Sequence, residues 1–197
     1  MRIALTFSLT GLLATPALAG SVQVFRDEGA FVDMIRLIPF SHETFDALPP
    51  GAAGPILSFA DDQYSFDVTA PGPGSNMLFN DTGLVSTLSE NDALNVRVTS
   101  NNGMAIGAVV FAGDIDFQPD LALISVTLGQ GQTETFEAFA GEFIGFYSSS
   151  PIHEISISDD AGNLWPVLDS VYLAGIPAPG SVLPLACAGA LASRPRR

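Results

Sequence analysis

The sequence predicts an all-β protein: an antiparallel β-sandwich, of jelly-roll type, carrying one short N-terminal helix. Three observations lead there. Short runs rich in Val, Ile, Phe and Thr recur about every 8–12 residues from Ile56 to Leu173. Clusters of Gly, Pro, Asn and Asp separate these runs and supply turn chemistry. Only one stretch, Asp27 to Arg36, spaces its apolar residues at a helical period.

In chain order, Ser21 to Phe25 alternates as a short strand. Asp27 and Glu28 then open the helical segment, where acidic side chains complement the helix dipole, and Pro39 closes it. Glu43 to Gly51 reads as a strand running into a Pro/Gly turn. Ile56 to Phe59 and Gln63 to Thr69 follow, the latter with Tyr64, Phe66 and Val68 on one side. Pro71-Gly72-Pro73-Gly74 marks a loop, and Asn76–Phe79 and Leu84–Leu88 are weaker strands.

Leu94–Thr99 alternates cleanly, whereas Ala105–Phe111 is almost continuously apolar. The intervening Asn101-Asn102-Gly103 favours a tight turn, so these two are expected to pair as a hairpin. Leu121–Leu128 and Thr133–Phe139 flank Gly129-Gln130-Gly131, a second expected hairpin. Phe143–Tyr147 and Ile152–Ile157 flank Ser148-Ser149-Ser150-Pro151, a third. Trp165–Leu173 closes the body. The count is about ten strands in one domain, residues 20–175, a size that suits a single core.

The body is acidic. All 21 Asp and Glu fall between Asp27 and Asp169, and against them stand only Arg26, Arg36 and Arg97, a net charge of −18. Such a surface repels nucleic acid and anionic lipid, and excludes nucleic-acid binding as the task of this domain. The one cysteine, Cys187, excludes an intramolecular disulfide, so the core must supply the stability.

Both ends read as address labels. Met1-Arg2, the apolar run Ile3–Leu13 and Ala17-Leu18-Ala19 make a secretory signal, residues 1–19, cleaved after Ala19. At the other end, residues 176–197, Pro177-Ala178-Pro179 precedes an apolar run from Val182 to Ala192, then Arg194, Arg196 and Arg197. Arginines beside an apolar segment favour the cytoplasmic side of a membrane. The run is shorter than the roughly 20 residues that span a bilayer, so engagement is expected to be transient.

This tail resembles the PEP-CTERM sorting signal, with Ala178 where the family motif has Glu. Pro184 within the apolar run and Pro195 within the basic cluster are further departures. The resemblance implies a Gram-negative-type bacterial source, processing by an exosortase-like enzyme, and delivery to the cell surface or extracellular matrix. Within the body, the Glu43–Gly51 opening, Ala105-Ile106-Gly107-Ala108, Phe143-Ile144-Gly145-Phe146-Tyr147 and Leu168-Asp169-Ser170-Val171-Tyr172 are similar to β-sandwich ectodomains that bear such tails. Those domains look like carbohydrate-binding jelly rolls, which implies contact with exopolysaccharide.

The residues themselves offer little catalysis. His42 and His153 have no HExxH or Cys partner for zinc, and no G-x-S-x-G elbow is present. Among cations, calcium suits the oxygen-rich turns best. Asp114 and Asp116, on one side of an extended segment, with Asp120, are the candidate ligands, and turn-forming Asp is the plainer alternative. Asp61-Asp62 and Asp159-Asp160 are further oxygen clusters. Asn80-Asp81-Thr82 fits a glycosylation sequon. Trp165, beside an acidic turn, is the ring most suited to stack on a sugar, against core packing as its other use. The expectation is therefore a non-enzymatic, cofactor-free surface or matrix protein. The alternatives are a secreted carbohydrate-active hydrolase using a carboxylate pair, or a surface protein with no glycan ligand.

Overall fold

The computed structural model describes residues 22–74, 76–100, 103–139 and 141–175. Ala17 and Ala19 of the signal segment, the turn residues Asn101 and Asn102, and the whole tail, including its Pro177-Ala178-Pro179 motif and arginines, lie outside them.

The chain starts with strand β1 (Val22–Phe25) and helix α1 (Glu28–Ile35). Asp27 caps the helix, its carboxylate accepting the Ala30 amide at 2.7 Å, and Glu28 adds an acid to the first turn. The expected helix is thus present within one residue at each end. Next come β2 (Phe40–Glu43), β3 (Gly51–Gly54), β4 (Ile56–Ala60), β5 (Ser65–Thr69), β6 (Leu78–Asp81) and β7 (Leu84–Thr87). The remainder is β8 (Leu94–Val98), β9 (Gly103–Gly113), β10 (Pro119–Asp120), β11 (Ala122–Leu128), β12 (Thr133–Ala138), β13 (Glu142–Ser148), β14 (Glu154–Asp159) and β15 (Trp165–Gly175).

Two antiparallel sheets result. The larger runs β1-β13-β9-β15-β7-β6-β3, with β10 on β9 and β2 on β15; the smaller runs β12-β11-β14-β8-β5-β4. Their facing sides share one core. Phe66, Val68, Val96, Ile124, Val126 and Ile157 of the smaller sheet meet Ile106, Ala108, Val110, Ile144, Phe146 and Leu168 of the larger. The antiparallel β-sandwich with one N-terminal helix is what the sequence predicts, and many of its connections, β8 to β9 and β13 to β14 among them, cross between the sheets.

Those crossings correct two expected hairpins. β8 pairs with β5 and β14, while β9 pairs with β13 and β15, so they lie in different sheets. β13 and β14 are likewise separated. The reason is burial. β9 and β13 are covered on both faces, whereas β8 and β14 alternate between core and exterior. The second hairpin forms as expected, with Thr127 opposite Thr133 and Gly131 at φ 93°.

The Glu43–Gly51 strand is displaced as well. Strand β2 ends at Glu43, whose carboxylate accepts the Phe45 amide at 2.9 Å. Phe45 adopts a left-handed φ of 59° and drops into the core against Phe59, 5.1 Å between ring centroids. A turn the sequence reading missed joins β6 to β7, where Thr82 and Gly83 have φ of 50° and 90°.

The outer face of the larger sheet is covered by α1. Phe31 and Ile35 are fully buried there with Ala105, Val109, Phe143, Tyr172 and Ala174. Gly107 and Gly145 make this approach possible: a Cβ at Gly145 would lie 2.5 Å from Phe31 Cδ2, and one at Gly107 would lie 2.8 Å from Phe31 Cε1. Burial of one such phenylalanine stabilises the fold by about 1.5–3 kcal/mol.

Candidate functional site

At the end of the sandwich where β9 finishes and β15 begins, the loop after β9 is shaped by Asp114. Its carboxylate oxygen accepts the amides of Asp116 and Gln118, each at 2.9 Å, and its own amide donates to the Gln118 carbonyl at 3.0 Å. Phe117 takes a left-handed φ of 55° within this loop. It thereby packs with Phe111 and Val167 and lies 5.4 Å from the Phe79 ring, while Ile115 is left 73% exposed.

Trp165 joins the edge of the same cluster and is half-buried. Together with Phe79, Thr87, Leu88, Ile115 and Phe117 it lines an open cleft of about 260 Å³. The Trp165 ring is thus packed in part and accessible in part. Its inner side packs on the outer face of the larger sheet, and the ring also lines a surface cleft. A half-exposed indole among apolar neighbours offers a flat face with a polar N–H, the chemistry suited to a sugar ring.

Two of the candidate calcium ligands, Asp114 and Asp120, direct carboxylate oxygens at backbone amides. Asp114 braces its own loop; Asp116, exposed, accepts the Gln118 amide side chain through its backbone carbonyl at 3.3 Å. Asp120 accepts the Leu121 amide at 2.8 Å. Among the described residues, no three His, Cys, Asp or Glu side chains gather as a metal-holding group, so Asp114, Asp116 and Asp120 do not assemble one. The other oxygen clusters behave similarly. Asp159, almost fully buried, accepts the amides of Ala161, Asn163 and Leu164. Asp61 accepts those of Gln63 and Tyr64 and the Ser41 hydroxyl. Burial pushes the Asp61 carboxyl up, but these three donors outweigh it and hold it below its ordinary range. The sequon residue Asn80 is completely buried, its amide donating to the Leu48 and Pro49 carbonyls.

A second group was not anticipated. Asp169 sits where the pairing of β15 with β9 shifts register, and where the other neighbour of β15 changes from β7 to β2. Burial, then the charges of Asp46 and Glu28, push its carboxyl up, against the opposing pull of His42. His42 stacks on Tyr172 at 3.9 Å and 5°, and the Tyr172 hydroxyl donates to Glu28. Burial and that carboxylate push the Tyr172 phenol well above its ordinary range. The residues come from α1, β2, the following turn and β15. No spacing in the sequence links them; the only hint is that Tyr172 and His42 fall in strands. His153 lies elsewhere, beside Arg97, Gln130 and Glu154 in a depression on the smaller sheet.

Charge is sparsely neutralised. Among the described residues two ion pairs form, Arg26 with Glu134 and Arg36 with Asp33, each at 3.2 Å. Arg26 also lies 4.0 Å over the Phe136 ring. Most of the 21 acids thus face solvent without a cation.

No protein-family model and no curated protein matches this chain. Among solved structures, the chain is similar to an exo-β-1,3-galactanase from Phanerochaete chrysosporium, crystallised with galactose. Identity is 12%, the TM-score 0.32, and the match covers 68% of this chain and 29% of that one. A 7S globulin from Momordica charantia is similar at 12% identity and a TM-score of 0.18, over 68% of this chain and 36% of that one. The matches therefore span only about a third of each of those two solved chains, and likenesses this slight carry nothing about function.

Proposed function

We propose that this chain is an exported, non-enzymatic β-sandwich of the bacterial cell surface or biofilm matrix, sorted through its tail by an exosortase-like enzyme. The observation that carries this reading is the order of segments in one sequence. A secretory signal ending at Ala19 and a tail with Pro177-Ala178-Pro179, an apolar run and three arginines flank a single acidic body. The body's net charge of −18 keeps it solvated in an exterior setting and turns it away from nucleic acid. Its ligand on this reading is exopolysaccharide, met at the Trp165 cleft, where an indole and the exposed Ile115 and Leu88 border open solvent. Intact-mass analysis of the native surface fraction tests the sorting. Loss of both terminal segments supports the reading, and a mature protein still ending at Arg197 overturns it.

A second reading, a hydrolase using paired carboxylates, is favoured by one observation. The raised carboxyl of Asp169 beside Asp46 and Glu28 is the kind of perturbation acid catalysis uses. Release of reducing sugar from acidic and neutral polysaccharides, abolished by Asp169→Asn, would put this reading first.

A further inference from the structure

The described residues end at Gly175, the last of β15, and one side chain ties that point to a second segment. The Tyr64 hydroxyl lies 2.9 Å from the carbonyl oxygens of both Pro39 and Gly175, sharing its proton between them. Ala174 and Phe40 are register partners on β15 and β2. The segment from the end of α1 to the start of β2 is therefore fixed beside the point where the tail begins.

That segment carries apolar side chains that the fold does not cover. Leu37 is 90% exposed, Met34 42% and Phe40 40%. Isolated exposed leucines are ordinary, but three large apolar residues within seven positions, in the segment that adjoins Gly175, mark a contact surface.

What covers them follows from the length of chain beyond Gly175. The apolar run of the tail begins at Val182, so at most about 25 Å of extended chain separates it from Gly175. When that run enters a membrane, the Gly175 end of the body is held within that distance of the bilayer, as its nearest face. The Trp165 end, an eleven-residue strand away, is held roughly 35 Å further off. The tail alone is too short to span, and a weak anchor holds stably only with a second point of attachment. With 21 acids and three arginines, the body cannot offer that second point to anionic headgroups.

The geometry points to a membrane-apposed end of the sandwich: Met34, Leu37 and Phe40 rest in the surface of a zwitterionic bilayer when the tail engages it. This rests on the tail being a membrane-engaging signal. The body is thereby oriented, with Trp165 and its cleft directed away from the membrane, toward whatever lies outside.

The test uses the full chain with phosphatidylcholine vesicles, unlabelled or brominated in their acyl chains. Trp165 is the sole tryptophan and serves as the far-end reporter. A second protein, Leu37→Trp in a Trp165→Phe background, reports from the near end. In flotation both proteins are expected to rise with the vesicles. Brominated lipid is expected to quench the indole at position 37 and to leave Trp165 bright. Leu37→Glu should weaken partition by roughly tenfold, the loss of one buried leucine, whereas Ile115→Glu at the far end should not change it. Flotation without quenching at position 37, or with equal quenching at both ends, overturns the apposed-end proposal and leaves the tail's membrane role standing. No flotation of either protein overturns both. An emission at position 37 that is already blue-shifted without vesicles and unmoved by them assigns the patch to the folded-back tail or to a second copy. Size-exclusion chromatography then separates those two outcomes, and either overturns the bilayer as occupant.

Discussion

Gly107 and Gly145 face each other as register partners on β9 and β13, and the Phe31 ring lies where their side chains would be. The helix is therefore seated directly on backbone, and both glycines are required by close approach. Gly145→Ala should cost about 1–3 kcal/mol through overpacking. The same substitution should cost clearly less in a Phe31→Leu background, since the two positions compete for one space. Urea denaturation of the four proteins of that cycle checks it; equal costs in both backgrounds would mean the ring is not what the glycine accommodates.

Asp159 holds its turn through three backbone amides. Asp159→Ala leaves those donors without their acceptor at an almost fully buried position, with an expected loss of about 1–3 kcal/mol. Asp159→Asn keeps one acceptor oxygen and should lose less. Adding calcium should change neither melting temperature, because the carboxylate oxygens are taken up by the amides of the turn.

The raised carboxyl of Asp169 gives stability a pH dependence of known sign. Its folded affinity for a proton exceeds that of the unfolded chain, whose ordinary value is 3.8, so its contribution improves as pH falls through the folded value toward 3.8. Asp61 acts oppositely. Held below 3.8, it contributes stability above that pH and loses it as pH falls through its lower folded value. Asp169→Asn should therefore raise the melting temperature at neutral pH and leave it nearly unchanged at the acid end. A melt that falls at neutral pH instead would show that the ionised carboxylate is favourably held.

Removing the Tyr64 hydroxyl should loosen the exit of the chain. Tyr64→Phe leaves the Pro39 and Gly175 carbonyls without their shared donor, at an expected cost of about 1 kcal/mol. Hydrogen exchange should quicken locally, at Phe40–Glu43 and the end of β15, with the Trp165 end unaffected. Uniform acceleration throughout the domain would contradict a local tie.

For the cleft, Trp165→Ala and Ile115→Asp should each abolish retention of the protein on an exopolysaccharide column while leaving the fold intact by circular dichroism. Unchanged retention would place the glycan contact elsewhere.

The sequence carried the fold class because alternation and turn residues are local signals. It also carried the information that breaks the two mistaken hairpins. Leu94–Val98 alternates, so one face must meet water, while Gly103–Gly113 is apolar throughout and must be covered on both faces. Two such strands cannot be neighbours in one half-solvated sheet, whatever turn lies between them. What could not be read locally was the group around Asp169. Glu28, His42, Asp46 and Asp169 meet only because β15 exchanges one neighbour for another at a register shift. The oxygen-rich turns were visible too, but whether a carboxylate binds an ion or its own amides depends on backbone geometry that spacing does not encode.

Placing β15 in the middle of the larger sheet has a consequence for how the chain acquires its structure. Strand β1 waits for β13, β2 for β15, and β9 is flanked by β13 and β15, all drawn from the last third of the body. A chain emerging amino end first can close hairpins such as β4–β5 and β6–β7, yet it cannot complete the larger sheet until residue 175 is free. Such distant pairings make folding slow and the partly emerged chain open. On the proposed route of export, lateness would be protective: the same topology that delays collapse would keep the chain in a form that can still be threaded.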